Sequence, residues 1–292
     1  MKPCDSQAEP HAGPDVANSG ELCGEAFGVP VRIFVEPPTL RAKLADHLPH
    51  GFNHKTAERV TRNEVGSPVA PQSFVLRWDE ADSVFTTHAG DEETICTTDG
   101  QEALEQLGRD LMIHVADFAP DRVFVHAGVV ACGGHGLVLP GTSFAGKTTL
   151  VAELVRAGAV YYSDEYAVVD AHGLVHPYTR DLQMRRPGMA PQHGLSPASL
   201  NASVGVEPLR IRHVLFARFL SGSTWKPEPV SRGMAVLEML THSIPVQRTP
   251  ARVMSALGAM VAGAQSWRSD RDEFSTIVPR LLEALRHGGD LA

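Results

Sequence analysis

A glycine-flanked loop that ends in lysine and threonine is the part of the sequence best suited to chemistry. It fits the spacing G-x-x-x-x-G-K-[ST], in which successive backbone N–H groups surround a phosphate at the N-terminus of a helix. In this pattern Lys147 would reach the β- and γ-phosphates of a nucleotide, and the Thr148 hydroxyl would ligate Mg²⁺. The residues predicted to bind nucleotide are Gly141, Thr142, Ser143, Phe144, Ala145, Gly146, Lys147, Thr148 and Thr149.

An acidic pair, Asp164 and Glu165, follows the loop after one predicted helix and one turn. The apolar run AVYYS just before the pair predicts a strand. Because the crossover is short, we expect this strand to be the immediate parallel neighbour of LVLP, the strand before the loop, with both carboxylates at the carboxyl end of the sheet. Asp164 is then a Mg²⁺ ligand together with Thr148, or the base that accepts a hydroxyl proton. The alternative is that the pair opens a solvated turn.

Four further side chains could assist chemistry at the loop. His126 lies in an apolar strand, and the alternation leaves open whether it faces the core or the nucleotide. Arg180, Arg185 and Arg186 follow the acidic strand and could neutralise the charge of a transferring phosphoryl group. The alternative for these arginines is an ordinary solvated surface.

A predicted β-hairpin and a helix position the loop. The apolar runs DRVFVHAGVV and HGLVLPG are joined through Gly133 and Gly134, a pair that suits a turn with positive backbone angles. After the loop, TTLVAELVRAG predicts a helix that ends at Gly158. Further along, the patterns predict a strand over residues 210–220 and helices around 232–243, 250–264 and 275–286.

The N-terminal part has a different composition. Residues 1–25 are rich in Pro, Gly, Ser, Asn and acidic groups, which predicts a disordered arm. Residues 26–100 contain the short apolar runs VPVRIFVE, SFVLRW and ETICTT between turn residues, which predict a small strand-rich α+β domain. An apolar stripe over residues 99–120 predicts an amphipathic helix that leads into the second domain, residues 101–292.

Charge and composition exclude several classes of function. The chain has 292 residues and a net charge of -8, which argues against nucleic acid as a partner. The four cysteines are scattered and include no C-x-x-C pair, so no disulfide framework or zinc site is predicted. The sequence shows neither a signal peptide nor an apolar run long enough to span a membrane. We therefore expect a cytoplasmic protein with no membrane partner.

The hairpin containing His126, the loop, and the segment YYSDEYAVVD together resemble the C-terminal catalytic domain of HPr kinase/phosphorylase and its related kinases, over about residues 121–187. The resemblance implies an α/β fold with the mixed-sheet P-loop core shared with phosphoenolpyruvate carboxykinase, so residues 101–292 would be a P-loop kinase domain with C-terminal helices. His126 matches the family's strand histidine, and Asp164 matches the first acid of its Asp-Asp pair. The resemblance also implies ATP, Mg²⁺ and a protein or peptide substrate with a serine-type hydroxyl, and it is compatible with a homo-oligomer.

Two residues depart from the family pattern. Phe144 stands where the family usually has glycine, and Glu165 replaces the second aspartate. Both changes leave binding through backbone N–H groups intact, but they indicate a different entrance or acceptor. The family's second signature, which is tied to its reverse reaction, is not found, which argues against phosphorolysis.

The leading hypothesis is an ATP-dependent kinase that acts on a serine-type hydroxyl of a protein or peptide. Lys147 and the loop amides would stabilise the transferring group, Asp164 would accept the hydroxyl proton, and His126 would orient it. If Asp164 instead binds the metal, Glu165 or His126 would be the base. The alternatives are a kinase of small hydroxyl compounds on the same core and a nucleotide-sensing regulator without turnover.

Overall fold

The computed structural model describes residues 20–55, 72–141, 146–184, 193–272 and 274–291. The chain is a mixed α/β protein with two mixed β-sheets. It divides into two compact units. The first contains the described chain before Phe27 together with Pro30–Met112, and the second contains Phe27–Val29 and the described chain from Ile113 onward.

The first unit is built on a six-stranded sheet. Its strands are β1 (Glu21–Ala26), β2 (Val29–Glu36), β3 (Asn53–His54), β4 (Gln72–Asp79), β5 (Val84–Ala89) and β6 (Glu92–Thr97), in the order β3-β1-β2-β4-β5-β6. β2 and β4 pair in parallel, whereas β4, β5 and β6 pair antiparallel. A 3₁₀ helix covers Pro38–His47, and helix α1 (Gly100–Phe118) begins in the first unit and continues past Met112 into the second.

The strand β1 corrects the expectation of a disordered arm up to residue 25. Leu22 and Cys23 are buried, and β1 pairs with β3 through Gly24 and Glu25. The strand-rich unit therefore begins before residue 26, because two apolar residues in a polar stretch are sufficient to anchor a strand to its neighbours. Residues 1–19 lie outside the described residues.

The second unit is built on an eight-stranded sheet. Its strands are β7 (Val123–Cys132), β8 (His135–Pro140), β9 (Val160–Ser163), β10 (Tyr166–Val169), β11 (Val175–His176), β14 (Ile211–Phe219), β15 (Glu228–Val230) and β16 (Gln265–Arg271). The order is β11-β10-β7-β8-β14-β16-β15, and β9 also pairs with β7. The short strands β12 (Leu182–Met184) and β13 (His193–Leu195) form a separate pair. The helices are α2 (Lys147–Arg156), α3 (Arg232–Leu240), α4 (Pro250–Ala262) and α5 (Phe274–His287).

The predicted hairpin is confirmed, but the predicted neighbour of its second strand is wrong. β7 and β8 pair antiparallel from Ala127 and Pro140 to Cys132 and His135, and both glycines of the turn have positive φ. β9, which contains the run VYYS, pairs antiparallel with β7, and the parallel neighbour of β8 is β14. β9 thus runs in the direction of β8 but is separated from it by β7. The short crossover fixed the direction of β9, whereas the later strand β14 occupies the position beside β8.

Core residues on the two faces of this sheet pack against different helices. Val125, Ala127 and Val129 of β7 belong to a cluster with residues of α3 and α4. Val130 belongs to a second cluster with residues of α2 and α5. Because side chains alternate along a strand, His126 lies on the same face as Val130, which is the face covered by α2.

The helices α2 to α5 and the strand β14 agree with the sequence prediction. The strand β16, with the sequence QSWRSDR, was not predicted, because its buried positions include Ser266, Ser269 and Arg271 and it therefore lacks an apolar alternation. In the described residues, no helix combines the length and the apolarity needed to cross a membrane.

Candidate functional site

The described ends of the predicted phosphate-binding loop lie between β8 and α2. β8 ends at Pro140, and α2 begins at Lys147 directly after Gly146, which has a left-handed backbone with φ 75° and ψ 19°. Lys147 Nζ donates a hydrogen bond of 2.7 Å to the Gly141 carbonyl, so its side chain folds back toward the end of β8. This strand, glycine and helix context is the one that the spacing requires. Thr142, Ser143, Phe144 and Ala145 lie outside the described residues.

The acidic pair lies in a break between two strands on one edge of β7. β9 pairs with β7 as far as Ser163, and β10 resumes the antiparallel pairing at Tyr166. Ser163 Oγ accepts hydrogen bonds from the backbone N–H groups of Glu165 (3.1 Å) and Tyr166 (3.0 Å), which stabilises the break. The Ala127 N–H donates a hydrogen bond to the Glu165 carbonyl, and Ala127 also pairs with Pro140, the last residue of β8. The acidic pair therefore lies level with the end of β8, where the loop begins.

Asp164 is buried and surrounded by hydrogen-bond donors. It is 6% exposed. Oδ1 accepts a hydrogen bond of 3.0 Å from the Tyr161 hydroxyl, and Oδ2 accepts one of 3.2 Å from the backbone N–H of Gln183. The Thr148 side chain also lowers the pKa of Asp164, which places its hydroxyl close to this carboxylate. Burial raises the pKa of Asp164, and these hydrogen bonds act in the opposite direction. The two predicted Mg²⁺ ligands are therefore adjacent.

Glu165 differs from Asp164 in having a partly exposed side chain and cationic neighbours. Because the Glu165 carboxyl group is partly removed from water, its pKa is raised to about 7. The positive charges of Arg180 and Lys147 oppose this rise. A carboxyl group with a pKa near neutrality can exist in both protonation states under working conditions, which is the property of a general base. Glu165 is therefore chemically distinct from the Asp164 carboxylate beside it.

His126 lies on the α2 face of β7, near the loop. Its backbone carbonyl accepts a hydrogen bond of 3.2 Å from the Gly141 N–H, and its ring lies 4.7 Å from the Tyr166 ring. Burial lowers the pKa of His126, and Lys147 lowers it further, so the imidazole is neutral at pH 7. The backbone N–H of His126 donates to the carbonyl of His242, and the pKa of His242 is also lowered by burial and by Lys147. His242 thus joins the site, although nothing in its sequence context predicts this.

Among the three candidate arginines, only Arg180 lies in the described residues. Burial opposes its charge, but Tyr178 and Glu165 outweigh this effect and raise the pKa of Arg180. Its backbone carbonyl accepts a hydrogen bond of 2.8 Å from Tyr161, the tyrosine that also donates to Asp164. Arg180 is therefore close to the acidic pair through both its main chain and its charge. Arg185 and Arg186 lie outside the described residues.

The donor set of Thr148 and Asp164 fits Mg²⁺. Mg²⁺ binds hard oxygen ligands and usually takes one or two from the protein, with phosphate oxygens and water completing the octahedron. A hydroxyl next to a carboxylate provides such a pair. In the part of the chain that the structure describes, no group of three or more His, Cys, Asp or Glu side chains could hold a metal ion.

The sequence matches no protein-family model and no curated protein. Six of the candidate residues lie close to one another near the described ends of the loop. They are His126, Lys147, Thr148, Asp164, Glu165 and Arg180. Spacing alone did not reveal His242 or Arg271, whose hydrogen bonds to His126 and Gly146 join distant parts of the chain. It did not reveal Tyr161 either, which donates to Asp164 from within the apolar run that predicts the strand.

Proposed function

We propose that the second unit is an ATP-dependent kinase that transfers the γ-phosphoryl group to a serine-type hydroxyl of a protein or peptide, as the resemblance to the HPr kinase family implies. The observation that carries this proposal is the convergence of Lys147 and Thr148 with two chemically different carboxylates. Thr148 lowers the pKa of Asp164, and Lys147 acts electrostatically on Glu165. A phosphate-binding loop next to a metal-binding carboxylate and a base is the minimal arrangement for phosphoryl transfer.

The first step is binding of the nucleotide phosphates. The backbone N–H groups at the start of α2 and the ammonium group of Lys147 would attract the β- and γ-phosphates. Thr148 and Asp164 would hold Mg²⁺, which supplies positive charge that neutralises the phosphate oxygens. Asp164 suits this role because Tyr161 and the Gln183 N–H fix its orientation.

The second step is proton removal from the acceptor hydroxyl. Asp164 is occupied by its donors, so we assign the base to Glu165, which is more exposed and has a pKa near neutrality. The serine oxygen attacks the γ-phosphorus while its proton passes to the Glu165 carboxylate, and the bond from the γ-phosphorus to the bridging oxygen breaks to release ADP. His126, as a neutral ring beside Tyr166, helps to orient the acceptor. The Arg180 guanidinium stabilises the negative charge on the transferring group.

Label transfer tests the proposal. The purified chain is incubated with Mg²⁺, ATP labelled at the γ-phosphate, and separate protein and small-molecule fractions from the cells that produce it. We expect label in the protein fraction as phosphoserine, and loss of this transfer in Lys147→Ala. Label only in small molecules would refute the protein acceptor. Tight ATP binding without transfer to either fraction would refute the kinase and favour a nucleotide sensor.

A further inference from the structure

Arg271 is a buried arginine next to the phosphate-binding loop. It is the last residue of β16, is 1% exposed, and pairs across the sheet with Phe219, the last residue of β14. Its guanidinium lies 4.7 Å from the ring centroid of Phe274, at the start of α5, and 5.6 Å from that of Phe219. Burial lowers the pKa of Arg271 to about 10, so the side chain remains charged at neutral pH.

The guanidinium contacts the backbone where the loop becomes a helix. Arg271 Nη2 donates a hydrogen bond of 3.0 Å to the carbonyl oxygen of Gly146. The same oxygen accepts the first backbone hydrogen bond of α2, from the Leu150 N–H at 3.1 Å. Two donors from different directions therefore fix the orientation of this carbonyl group.

The orientation of the Gly146 carbonyl determines where the next amide points. The carbonyl of Gly146 and the N–H of Lys147 belong to one planar trans peptide unit, in which they point in opposite directions. Because the carbonyl points along α2 toward Leu150, the Lys147 N–H points out of the N-terminus of the helix. In a loop of this spacing, that is the direction of the bound phosphate.

Gly146 allows the arginine to approach this peptide closely. A Cβ atom built at Gly146 would lie 2.4 Å from Arg271 Nη2, and the φ of 75° is unfavourable for residues with a side chain. The charged hydrogen bond also polarises the peptide unit, which makes its N–H a stronger donor. The absence of a side chain at Gly146 thus leaves the space that the guanidinium group needs to form this hydrogen bond.

We propose that Arg271 is a positioning residue of the phosphate-binding loop, which holds the peptide between Gly146 and Lys147 so that its N–H group faces a bound phosphate. The inference rests on the proposed function, because it requires a phosphate ligand in the loop. It also assigns a role in ligand binding to β16, a strand far along the chain from the loop.

The test compares three variants for binding of inorganic pyrophosphate and ADP by calorimetry. Arg271→Met removes the donor and keeps an apolar chain against the two phenylalanines, whereas Arg271→Lys keeps a positive donor. Arg218→Met is the matched control, because Arg218 lies at the end of β14 but is exposed and forms two hydrogen bonds with Asp270. Urea denaturation first establishes that each variant is folded at the temperature of the titration.

We expect Arg271→Met to weaken binding of both ligands by about tenfold or more, because the Lys147 N–H is no longer held toward the phosphate. Arg271→Lys should lose less than Arg271→Met, and Arg218→Met should change affinity by less than about twofold. A folded Arg271→Met that binds as tightly as the parent would overturn the inference, as would an equal loss in Arg218→Met. If Arg271→Met does not fold, Arg271→Gln replaces it with the same expected loss, and parental affinity in that variant would overturn the inference.

The outcome also separates this inference from the kinase proposal. A parent chain that binds pyrophosphate and ADP but transfers no phosphoryl group would refute the kinase and leave the role of Arg271 supported by the variants. A parent chain that binds neither ligand would overturn both.

Discussion

Asp164 and Glu165 are adjacent in sequence but have different surroundings. Asp164 is buried under Tyr161 and next to Thr148, whereas Glu165 is partly exposed near Arg180 and Lys147. Neighbouring carboxylates with different environments can perform different tasks at the same pH. The sequence predicted both residues as candidates but left open which of them would bind the metal and which would be the base, because the spacing does not specify the surroundings of either carboxylate.

This difference predicts opposite phenotypes for two conservative substitutions. Glu165→Gln should leave Mg-ATP affinity within about twofold and reduce phosphoryl transfer by about 10²-fold or more, because the amide cannot accept the hydroxyl proton. Asp164→Asn should instead weaken Mg-ATP binding and raise the Mg²⁺ concentration needed for half-maximal binding. Calorimetry measures the affinities, and label transfer to the identified acceptor measures the rates.

A carboxylate outside the site provides the control. Glu153 lies on α2 and forms an exposed ion pair with Arg156, so Glu153→Gln should alter neither binding nor transfer appreciably. A Glu165→Gln variant that transfers phosphate as fast as the parent would contradict the base assignment.

At the residue scale, the sequence predicted the candidate residues that a local spacing pattern specifies. Lys147 and Thr148 were predicted because the spacing G-x-x-x-x-G-K-[ST] specifies both positions without any other part of the chain. Arg271 was not predicted, because a single arginine in a polar stretch has no local signature, and its contact with Gly146 joins residues far apart in the chain.

At the element scale, the packing of α2 against β7 sets the position of the loop. Gly128 of β7 lies under Val151 of α2, and a Cβ atom at residue 128 would come within 2.6 Å of Val151 Cγ2. Gly128→Ala should therefore push α2 away and reduce the free energy of unfolding by about 1 to 3 kcal/mol. Urea denaturation measures the change.

Gly258 provides a matched comparison in a helix. It lies inside α4, and a Cβ atom there would meet nothing within 4 Å. Gly258→Ala should raise the free energy of unfolding by up to about 1 kcal/mol, because alanine favours helix over glycine. Equal effects of the two substitutions would show that contact between Gly128 and Val151 does not control the packing of α2.

A buried histidine in β14 predicts the pH dependence of stability. His213 is 0% exposed and accepts a hydrogen bond of 3.3 Å from Trp267 Nε1. Burial, with a contribution from Arg212, lowers the pKa of His213 from 6.5 to about 4. As the pH falls below about 6.5, the unfolded chain binds a proton that the folded chain does not bind, so the free energy of unfolding decreases until the pH reaches about 4.

The expected loss from His213 is up to about 3 kcal/mol, since one pKa unit corresponds to about 1.4 kcal/mol. Denaturation of the parent and of His213→Gln between pH 7.5 and 4.5 measures this loss. The variant should show a smaller decrease across that range, and His287→Gln, a change at an exposed position in α5, should follow the parent. Identical pH profiles for the parent and His213→Gln would contradict the assignment.

The order of strands in the second sheet was only partly predictable from sequence patterns. The hairpin of β7 and β8 was predictable because Gly133 and Gly134 form its turn locally. The position of β9 was not, because the choice between the free edge of β7 and the edge of β8 depends on where β14, many residues later, is placed. β16 was missed because its buried serines and arginine resemble a polar loop in sequence.

At the scale of the whole molecule, the proposed function belongs to one of two compact units. The second unit contains every described candidate site residue, and its sheet brings residues from β7, α2, β9, β10 and β16 to one end. The net charge of -8 argues against a partner with a phosphate backbone or an acidic surface. Because the chain as a whole is negative, positive charge near the loop comes from individual side chains. Lys147, Arg180 and Arg271 provide it.

The measurement that tests the central claim most directly is calorimetric titration of ATP into the intact chain, with and without Mg²⁺. We expect saturable binding of one ATP per chain that is tighter with Mg²⁺, and a loss of at least about tenfold in affinity in Lys147→Ala, because the ammonium group no longer pairs with the phosphates. Absence of binding, or equal affinity in the parent and Lys147→Ala, would contradict the assignment of this loop as a nucleotide site.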